Sequence, residues 1–478
     1  MKKCLLKQHI MNCPTLVSLV LLTAVSTVQA QDTESRETIA AYSADYKAAF
    51  TCSATFNSNK SPGQIAVQEL AGIYPAYQDV VNQLPAAVID YENKHVSVEF
   101  SKTLPPRVSA WRPHLGCAQL PVGSSLEDVH LLPAINLDKP AGDDNAPWQQ
   151  RAPINGTSGN AALDQVIKGT FRGNDFNQEF GPNAFTTAIL IATPDTIIAE
   201  HYIDGYDHKT SQRTWSVAKS IAVTVMGAAV KQGYIDIKKP APIAAWQSPL
   251  DPRRHITTEN LLHMGSGLDS NRAGNRTDRL YTGGGRVIDT AVTNSLEIAP
   301  GTRWKYANND TLLAMHSLRA TMNDDEAYRR LPFEQVLYKI GMLDTYLETD
   351  WNGDFIMSSQ VWTTSRDLAR LGTLYLNDGV WDGERILPQG WAQYVATPAP
   401  AQPPGGATGY GAQFWLYNER SPNIPNDAYA AQGNRGQFLM IIPSENLIVI
   451  RRGHDPAIGG GFRLGAFTEA VLGALKQH

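Results

Sequence analysis

The sequence predicts an α+β fold built around one antiparallel sheet that is flanked by helices and interrupted by a helical insertion. Two pairs of β-like runs predict the sheet, residues 187–192 with 197–202 and residues 438–442 with 447–451. The intervening residues, about 217–400, carry mostly helical and loop patterns. Strands at both ends of a helical region favour this arrangement over the regular strand–helix alternation of a doubly wound sheet.

Local signals support each of these elements in turn. Asn160 is a favourable N-cap for a short helix at residues 161–168. Thr193-Pro194-Asp195 supplies turn residues between the first two strands, and residues 443–446 separate the last two. A helix at about residues 461–476 closes the chain.

A smaller α+β accessory module is predicted to precede this region. Ser61-Pro62 predicts the start of a helix, because proline is favoured at the first helical position. The runs at residues 87–91 and 96–100 predict a hairpin. A stretch rich in proline, glycine and aspartate then follows and is interpreted as a linker. The predicted organisation is therefore a signal peptide, the accessory module, the linker and the main domain, at residues 1–30, 31–134, 135–159 and 160–478.

The first 30 residues have the three parts of a secretory signal peptide. Three lysines in the first seven residues precede a short apolar run at residues 15–27. The small residues of Val28-Gln29-Ala30 predict cleavage before Gln31. An uncleaved anchor is the alternative, but the apolar run is shorter than the roughly 20 residues that span a bilayer. The mature protein is therefore expected to be periplasmic or secreted, without a stable membrane span.

Composition and charge argue against several classes of partner. The chain has 478 residues, of which 42% are hydrophobic and 18% charged, as expected of a globular protein. Its net charge of −5 becomes −8 when the predicted signal peptide is removed, because that segment contains three lysines and no acid. This acidic balance provides no electrostatic footprint for nucleic acid or for an anionic membrane.

The cysteines predict a disulfide. Four are present, and Cys4 and Cys13 fall within the predicted signal peptide. Cys52 and Cys117 remain as a pair in a chain that is expected to be exported, which favours a disulfide between them. Two buried free thiols are the alternative. A metal site is not expected, because two cysteines so far apart supply too few ligands.

Ser216 and Lys219 are the first candidates for catalysis. Ser216 lies where a buried, apolar helix is expected to begin, and Lys219 lies one turn later on the same face. The positive end of the helix dipole and burial both lower the pKa of a lysine in that position. Such a lysine can activate a serine hydroxyl as a nucleophile. The alternative is an N-cap serine beside an ordinary surface lysine.

A second candidate element lies 90 residues beyond Ser216. Tyr306 and Asn308 form a Tyr-x-Asn pattern in a Pro-Gly-aromatic loop that starts at Pro300. Loops of this kind present side chains to clefts, although a packed loop aromatic is the alternative interpretation of Tyr306. The sequence has no Gly-x-Ser-x-Gly, Gly-x-x-x-x-Gly-Lys or His-Glu-x-x-His motif.

Together these motifs resemble those of the penicillin-recognising serine hydrolases, which include class C β-lactamases, D,D-peptidases and related esterases. Residues 256–268, which end in Ser-Gly-Leu, resemble a segment of this family, as does the helical run at residues 366–372. Residues 432–437 open a strand where the family has its third motif. The resemblance covers about residues 160–478 and implies a β-lactamase/transpeptidase-like fold.

The resemblance also implies roles for individual residues. Ser216 would be acylated, Lys219 would be its activating base, and Tyr306 would pass protons to and from the leaving group. Asn308 would hold Lys219 and the substrate. The backbone N–H of Ser216 would form one half of the oxyanion hole. The strand of the third motif would supply the other half near Gly436 or Gln437, and Gly433 would be among the residues of this strand that bind the substrate.

The third motif departs from the family pattern. β-Lactamases and D,D-peptidases usually have Lys-Thr-Gly or His-Thr-Gly here, where the cation meets a substrate carboxylate. This chain has Gln432-Gly433-Asn434 instead, which is similar to the branch of 6-aminohexanoate-dimer hydrolases and carboxylesterases. Arg435 is either a replacement for the missing cation or an exposed loop residue.

The expected function is hydrolysis of an amide or ester through an acyl-enzyme, without a metal or organic cofactor. The expected substrate is a small molecule or a short peptide-like compound. Within this class, the alternative is a D,D-peptidase or β-lactamase. From a different class, the alternative is a non-catalytic periplasmic protein that is penicillin-binding-like. Such a role would have no need of Ser216, Lys219 and Tyr306 together.

Overall fold

The computed structural model of the protein describes most of the chain. The predicted signal peptide, residues 1–30, lies outside the described residues. From Arg36 onward the chain forms one compact unit. Within the described part of the chain, no helix is both long and apolar enough to cross a membrane. The described residues are 35–171, 179–270, 281–405, 409–417, 423–458 and 461–477.

The strands are short, with two to seven residues each. Their bounds are β1 Val88–Asp90, β2 His95–Val98, β3 Arg107–Arg112, β4 Gly116–Gln119, β5 Gln150–Arg151, β6 Thr186–Ala192, β7 Thr196–Tyr202, β8 Gln212–Arg213, β9 Tyr346–Leu347, β10 Val361–Thr363, β11 Val380–Trp381, β12 Glu384–Arg385, β13 Gly409–Tyr410, β14 Trp415–Tyr417, β15 Ala428–Gly433, β16 Gln437–Ile442 and β17 Leu447–Gly453.

The described helices lie before, between and after these strands. Their bounds are α1 Arg36–Phe56, α2 Pro62–Gln68, α3 Pro75–Gln83, α4 Ala161–Lys168, α5 Val217–Lys231, α6 Thr258–Leu262, α7 Val287–Thr293, α8 Asn308–Met322, α9 Asp325–Pro332, α10 Ser365–Leu376, α11 Trp391–Ala396 and α12 Leu464–Lys476. The helix predicted at residues 161–168 is confirmed as α4, with Asn160 as its N-cap.

The central sheet is assembled from distant segments, as predicted. Its strand order among the described residues is β13-β14-β15-β16-β17-β6-β7-β5. The strands β13 to β17, β6 and β7 pair antiparallel with their neighbours, and β5 pairs parallel with β7. β17 pairs with β6 although more than 200 residues lie between them. The predicted α+β class is confirmed.

Both faces of this sheet are covered by helices. On one face, α4 and α12 contribute Leu163 and Phe467 to an apolar core. On the other face lies a larger core, to which α5 and α10 contribute Ile221 and Leu371. Residues 217–229 of α5 are all buried, so the expected buried helix after Ser216 is confirmed.

A smaller sheet, β1-β2-β3-β4, packs against α1. The predicted hairpin corresponds to β1 and β2, and the helix predicted after Ser61-Pro62 corresponds to α2. Ser61 and Gln64 form a reciprocal capping box at its start. The predicted disulfide is present and joins Cys52 in α1 to Cys117 in β4.

Buried polar contacts connect this N-terminal part to the remainder of the protein. Glu348 accepts hydrogen bonds from the Ser53 hydroxyl at 2.5 Å, the Asn57 side chain at 2.9 Å and the backbone N–H of Cys117 at 3.3 Å. Burial raises the pKa of Glu348 to about 7. The part of the chain before residue 134 is therefore held against the remainder of the protein by hydrogen bonds to Glu348 as well as by apolar packing.

Candidate active site

Ser216 lies in the sharp turn between β8 and α5. The residue before it, Trp215, has a left-handed backbone conformation with φ of 50°, which is uncommon for a bulky residue and is concentrated at functional sites. The Ser216 side chain makes no capping hydrogen bond to the helix. Since the hydroxyl is not used as an N-cap, it is free to interact with side chains across the turn.

Lys219 is buried directly behind this hydroxyl, with 1% of its surface exposed. Its Nζ lies 3.3 Å from Ser216 Oγ, 2.7 Å from Asn308 Oδ1 and 2.7 Å from the carbonyl oxygen of Ser358. Burial lowers the pKa of Lys219 to about 7. The lysine is therefore not an ordinary surface residue, and its amine is largely neutral in slightly alkaline solution.

The three contacts of Nζ fit a neutral amine. A neutral lysine has two N–H donors and one lone pair, whereas an ammonium ion has three donors and none. The two shortest contacts, to Asn308 and Ser358, are to carbonyl oxygens and can take both donors. The lone pair is then left for the third contact, where the Ser216 hydroxyl can donate its proton. This is the arrangement that a general base for a serine nucleophile requires.

The Tyr306 side chain is hydrogen-bonded to that of Ser216. Its ring stacks on Trp415 with centroids 5.7 Å apart and meets Tyr410 edge-on at 6.3 Å. The Lys219 amine lies 5.0 Å from the ring centroid. Burial raises the pKa of Tyr306 well above its usual value, and the hydrogen bond to Ser216 opposes this only in part. The phenol is therefore protonated at neutral pH and can donate a proton.

Asn308 is the first residue of α8, which fixes its side chain toward Lys219. Two residues further on, Asp310 is buried and accepts a 2.8 Å hydrogen bond from the Ser266 hydroxyl. Burial raises the pKa of Asp310 to about 7. The predicted family segment at residues 256–268 therefore supports the site indirectly, because it holds the helix that carries Asn308.

Gly433, the last residue of β15, lies against the start of α5. A Cβ atom at this position would clash with the carbonyl oxygen of Thr214 and lie 3.2 Å from the backbone nitrogen of Ser216. The end of β15 and the backbone N–H of Ser216 are thus in direct contact. Two backbone segments that approach this closely can present N–H groups to one oxygen atom.

The other two residues assigned to the third-motif strand lie elsewhere. Gly436 packs against the Arg451 guanidinium and the Asp455 carboxylate, which form a buried ion pair at 2.7 Å. The Gln437 side chain is buried and donates to the carbonyl oxygens of Arg435 and Gly453 at 3.0 and 2.5 Å. The structure therefore brings Ser216, Lys219, Tyr306, Asn308 and Gly433 together, whereas Gly436 and the Gln437 side chain stabilise the hairpin behind them.

Arg435 is neither an exposed loop residue nor a cation facing the Ser216 turn. It is 5% exposed, and its guanidinium donates to the carbonyl oxygens of Asp455 at 3.0 Å, Ala71 at 2.9 Å and Glu69 at 3.4 Å. Three backbone acceptors therefore hold this side chain. Its function is to attach the third-motif hairpin to the N-terminal part of the chain.

Two contributors to the site were not predicted from the sequence. Ser358 supplies the carbonyl oxygen that contacts Lys219 and, through its hydroxyl, contacts the Tyr281 hydroxyl at 2.5 Å. Neither residue belongs to a recognisable motif. Ser358 contacts Lys219 through a backbone carbonyl group, which every residue has, so its amino-acid type does not indicate this contact. Within the described ranges, no group of three or more histidine, cysteine, aspartate or glutamate residues could hold a metal ion.

Comparisons with known proteins agree with this geometry. The family model described as Beta-lactamase matches residues 183–451, more than half of the chain, and that range contains all five residues that meet at Ser216. The 6-aminohexanoate-dimer hydrolase of Paenarthrobacter ureafaciens is 25% identical over 295 residues, which are 56% of this chain and 72% of that protein.

A solved structure confirms the fold. A family VIII carboxylesterase is 14% identical to the chain, with a TM-score of 0.52, and the match covers 66% of this chain and 97% of that one. Similarity at this level of identity concerns the fold alone. The predicted β-lactamase/transpeptidase-like fold is confirmed.

Proposed function

The chain belongs to the Beta-lactamase family, and from this premise we propose that it hydrolyses a small amide or ester through an acyl-enzyme on Ser216. The observation that carries the proposal is the buried Lys219 amine 3.3 Å from Ser216 Oγ, with its pKa lowered to about 7. A serine hydroxyl becomes a nucleophile at neutral pH only when a base of this kind lies within reach.

Acylation uses Lys219 as the base and Tyr306 as the proton donor. Ser216 Oγ attacks the substrate carbonyl carbon while its proton passes to Lys219 Nζ. The bond to the leaving nitrogen or oxygen then breaks as Tyr306 gives that atom its phenolic proton. Tyr306 recovers a proton from Lys219, so both side chains return to their starting states and the acyl group remains on Ser216.

Deacylation reverses these roles with water as the nucleophile. Water attacks the acyl carbon and loses a proton to the Lys219–Tyr306 pair. The ester bond to Ser216 breaks, and its oxygen takes back a proton, which releases a carboxylic acid. In both steps the negative charge on the carbonyl oxygen is stabilised by the backbone N–H of Ser216 and by a backbone N–H at the end of β15, beside Gly433.

The proposed substrate is a linear amide or ester and not a β-lactam. The third motif has Gln432 where a lysine or histidine would meet the carboxylate of a β-lactam, and Arg435 is bound to carbonyl oxygens. The relative from Paenarthrobacter ureafaciens is named for hydrolysis of a 6-aminohexanoate dimer. Both observations favour amide or ester hydrolysis over antibiotic turnover.

We expect a fluorophosphonate to label one residue, Ser216, and benzylpenicillin to leave no stable adduct. Intact-mass spectrometry followed by peptide mapping measures both results. Ser216→Ala should abolish labelling, whereas Ser248→Ala, a change at an exposed serine, should leave it intact. If neither reagent labels the protein, the acyl-enzyme proposal is contradicted, and a stable penicillin adduct on Ser216 would indicate a D,D-peptidase instead.

We also propose that the protein is exported and that its mature chain begins at Gln31. The signal pattern at residues 1–30 supports this, as does the Cys52–Cys117 disulfide, because such bonds persist in oxidising compartments. Amino-terminal sequencing of protein from the periplasm or medium should start at Gln31, and thiol titration should find no free cysteine. A chain that retains residues 2–30 in the cytoplasm would refute export.

A further inference from the structure

Arg452, near the end of β17, is buried between the two backbone segments that meet at the candidate active site. No part of its surface is exposed. Its Nε atom donates to the side-chain carbonyl oxygen of Gln437 in β16 at 2.8 Å. Its Nη atoms donate to the backbone carbonyl oxygens of Thr363 at 2.9 Å, Gln212 at 2.7 Å and Arg213 at 3.2 Å. One guanidinium is therefore shared between β16 and the strands β8 and β10.

The strands that share this guanidinium belong to different sheets. β8 and β10 are part of the sheet β8-β10-β9, whereas β15, β16 and β17 are part of the central sheet. Among the described strands, no backbone pairing joins the two sheets. The Thr187 hydroxyl in β6 donates to the Gln212 side chain at 2.7 Å and is a second link between them. Within the described part of the chain, only the hydrogen bonds of Arg452 connect β8 to Gln437.

Both ends of this connection lie beside the proposed oxyanion donors. Gln437 is opposite Gly433 in the pairing of β15 with β16, and a Cβ on Gly433 would lie 3.1 Å from the Gln437 Cβ. At the other end, two residues separate Arg213 from Ser216. Arg452 thus holds the neighbour of Gly433 and the strand that leads into Ser216 at the same time.

Stability alone does not account for an arginine in this position. All of the described hydrogen bonds of Arg452 go to neutral oxygen atoms, and burial lowers its pKa to about 9. The adjacent Arg451, in contrast, pairs with the Asp455 carboxylate at 2.7 Å. A buried charge without a carboxylate partner is costly. What a planar guanidinium offers in return is a set of donors in fixed relative positions, which holds several acceptors in one geometry.

We propose that Arg452 is a positioning residue for the oxyanion site, because it fixes the end of β15 relative to the backbone N–H of Ser216. It does not touch the substrate and acts through Gln437 on one side and through β8 on the other. This inference rests on the proposed function for its link to turnover. The placement of the two segments by Arg452, however, can be measured without any substrate.

Two substitutions remove the same contact from opposite sides. In Arg452→Lys the charge remains and the amine can still donate to carbonyl oxygens of β8, but no donor remains at the Nε position. In Gln437→Met the acceptor is lost while the volume is similar. Each is expected to lower kcat/KM for a p-nitrophenyl ester by about 10²-fold, the effect of a displacement of about 1 Å at a reacting centre.

A double-mutant cycle separates positioning from a general loss of stability. Arg452→Lys should cost much less activity in the Gly433→Ala protein than in the unmodified protein, because the strand end has already moved there. The matched control is Arg112→Lys. Arg112 is 6% exposed and donates to the carbonyl oxygens of Pro133 at 2.8 Å and Leu115 at 3.4 Å. This change should lower the Tm as Arg452→Lys does, but it should leave kcat/KM of the folded protein unchanged.

Full activity in Arg452→Lys would overturn the inference, and so would equal losses from Arg452→Lys with and without Gly433→Ala. Gln437→Met in the same cycle decides the question when Arg452→Lys does not fold. Hydrogen exchange tests the placement separately from turnover. Arg452→Lys, but not Arg112→Lys, should speed exchange in peptides that contain Ser216 and Gly433, and unchanged exchange would overturn the inference. Faster exchange in a protein that fluorophosphonate does not label would reject only the acyl-enzyme.

Discussion

Lys219→Met is expected to lower kcat/KM for a p-nitrophenyl ester by about 10³- to 10⁴-fold, because it removes the base that takes the proton from Ser216. Methionine fills a similar volume, so the buried site should stay packed while the amine is lost. The same change should slow fluorophosphonate labelling of Ser216. Steady-state kinetics and labelling rates measure the two effects independently.

A matched control lies at the other end of the same helix. Lys231 is an exposed residue in the last turn of α5, and Lys231→Met should leave kcat/KM unchanged. Circular dichroism and the Tm of both variants show whether the fold is retained. A correctly folded Lys219→Met protein with activity close to that of the unmodified protein would refute the assignment of Lys219 as the base.

The pH dependence of acylation provides a second test of Lys219. Burial lowers the pKa of Lys219 from 10.5 to about 7. Below this pH the amine is protonated and cannot accept the Ser216 proton, so the rate should fall. Above it the rate should level off. The burst rate of p-nitrophenol release, measured between about pH 5 and pH 9, should therefore rise through about pH 7. A rate that still rises steeply at the upper end would indicate an ordinary, solvated lysine.

Gly433→Ala is expected to lower kcat/KM by about 10²- to 10³-fold, the effect of losing one oxyanion donor. The added Cβ would clash with the carbonyl oxygen of Thr214 and lie 3.2 Å from the backbone nitrogen of Ser216. Both neighbours are backbone atoms and cannot rotate aside. The end of β15 must therefore move away from Ser216 and carry its N–H group out of reach of the substrate oxygen.

Gly473→Ala is the matched control for this change. Gly473 lies in α12, and a Cβ there meets no atom within 4 Å. Alanine is preferred to glycine in a helix by about 1 kcal/mol, so this variant should be as stable as the unmodified protein or slightly more stable. Its kinetics should not change. Full activity and an unchanged Tm in Gly433→Ala would show that the strand end does not form part of the oxyanion site.

Local patterns, together with the family resemblance, were sufficient to predict the side chains that meet at Ser216. A spacing of three residues on a helix brings Ser216 and Lys219 to one face whatever the remainder of the fold is. The choice among Gly433, Gly436 and Gln437 was different, because it depends on which part of a hairpin faces a helix 200 residues away. Only the packed structure determines that Gly433 is the residue that contacts the Ser216 turn.

The same distinction applies to the fold. Four strands of the central sheet, β6, β7, β16 and β17, were predictable because they are apolar and bounded by turn residues. Helix α1 was not predicted, since its eight consecutive buried residues at 48–55 leave no apolar stripe to recognise. The environment of Arg435 was equally inaccessible, because its acceptors at residues 69 and 71 are more than 360 positions away.

The attachment of Arg435 to those two carbonyl groups has a consequence for biosynthesis. Ribosomes make the amino end first, at about 5–20 residues per second, so the acceptors exist for roughly 20 to 70 s before Arg435 is made. Gly433 is made at the same late moment as Arg435. Ser216 and Lys219 therefore remain without the strand end that packs against them until more than 200 further residues have been made.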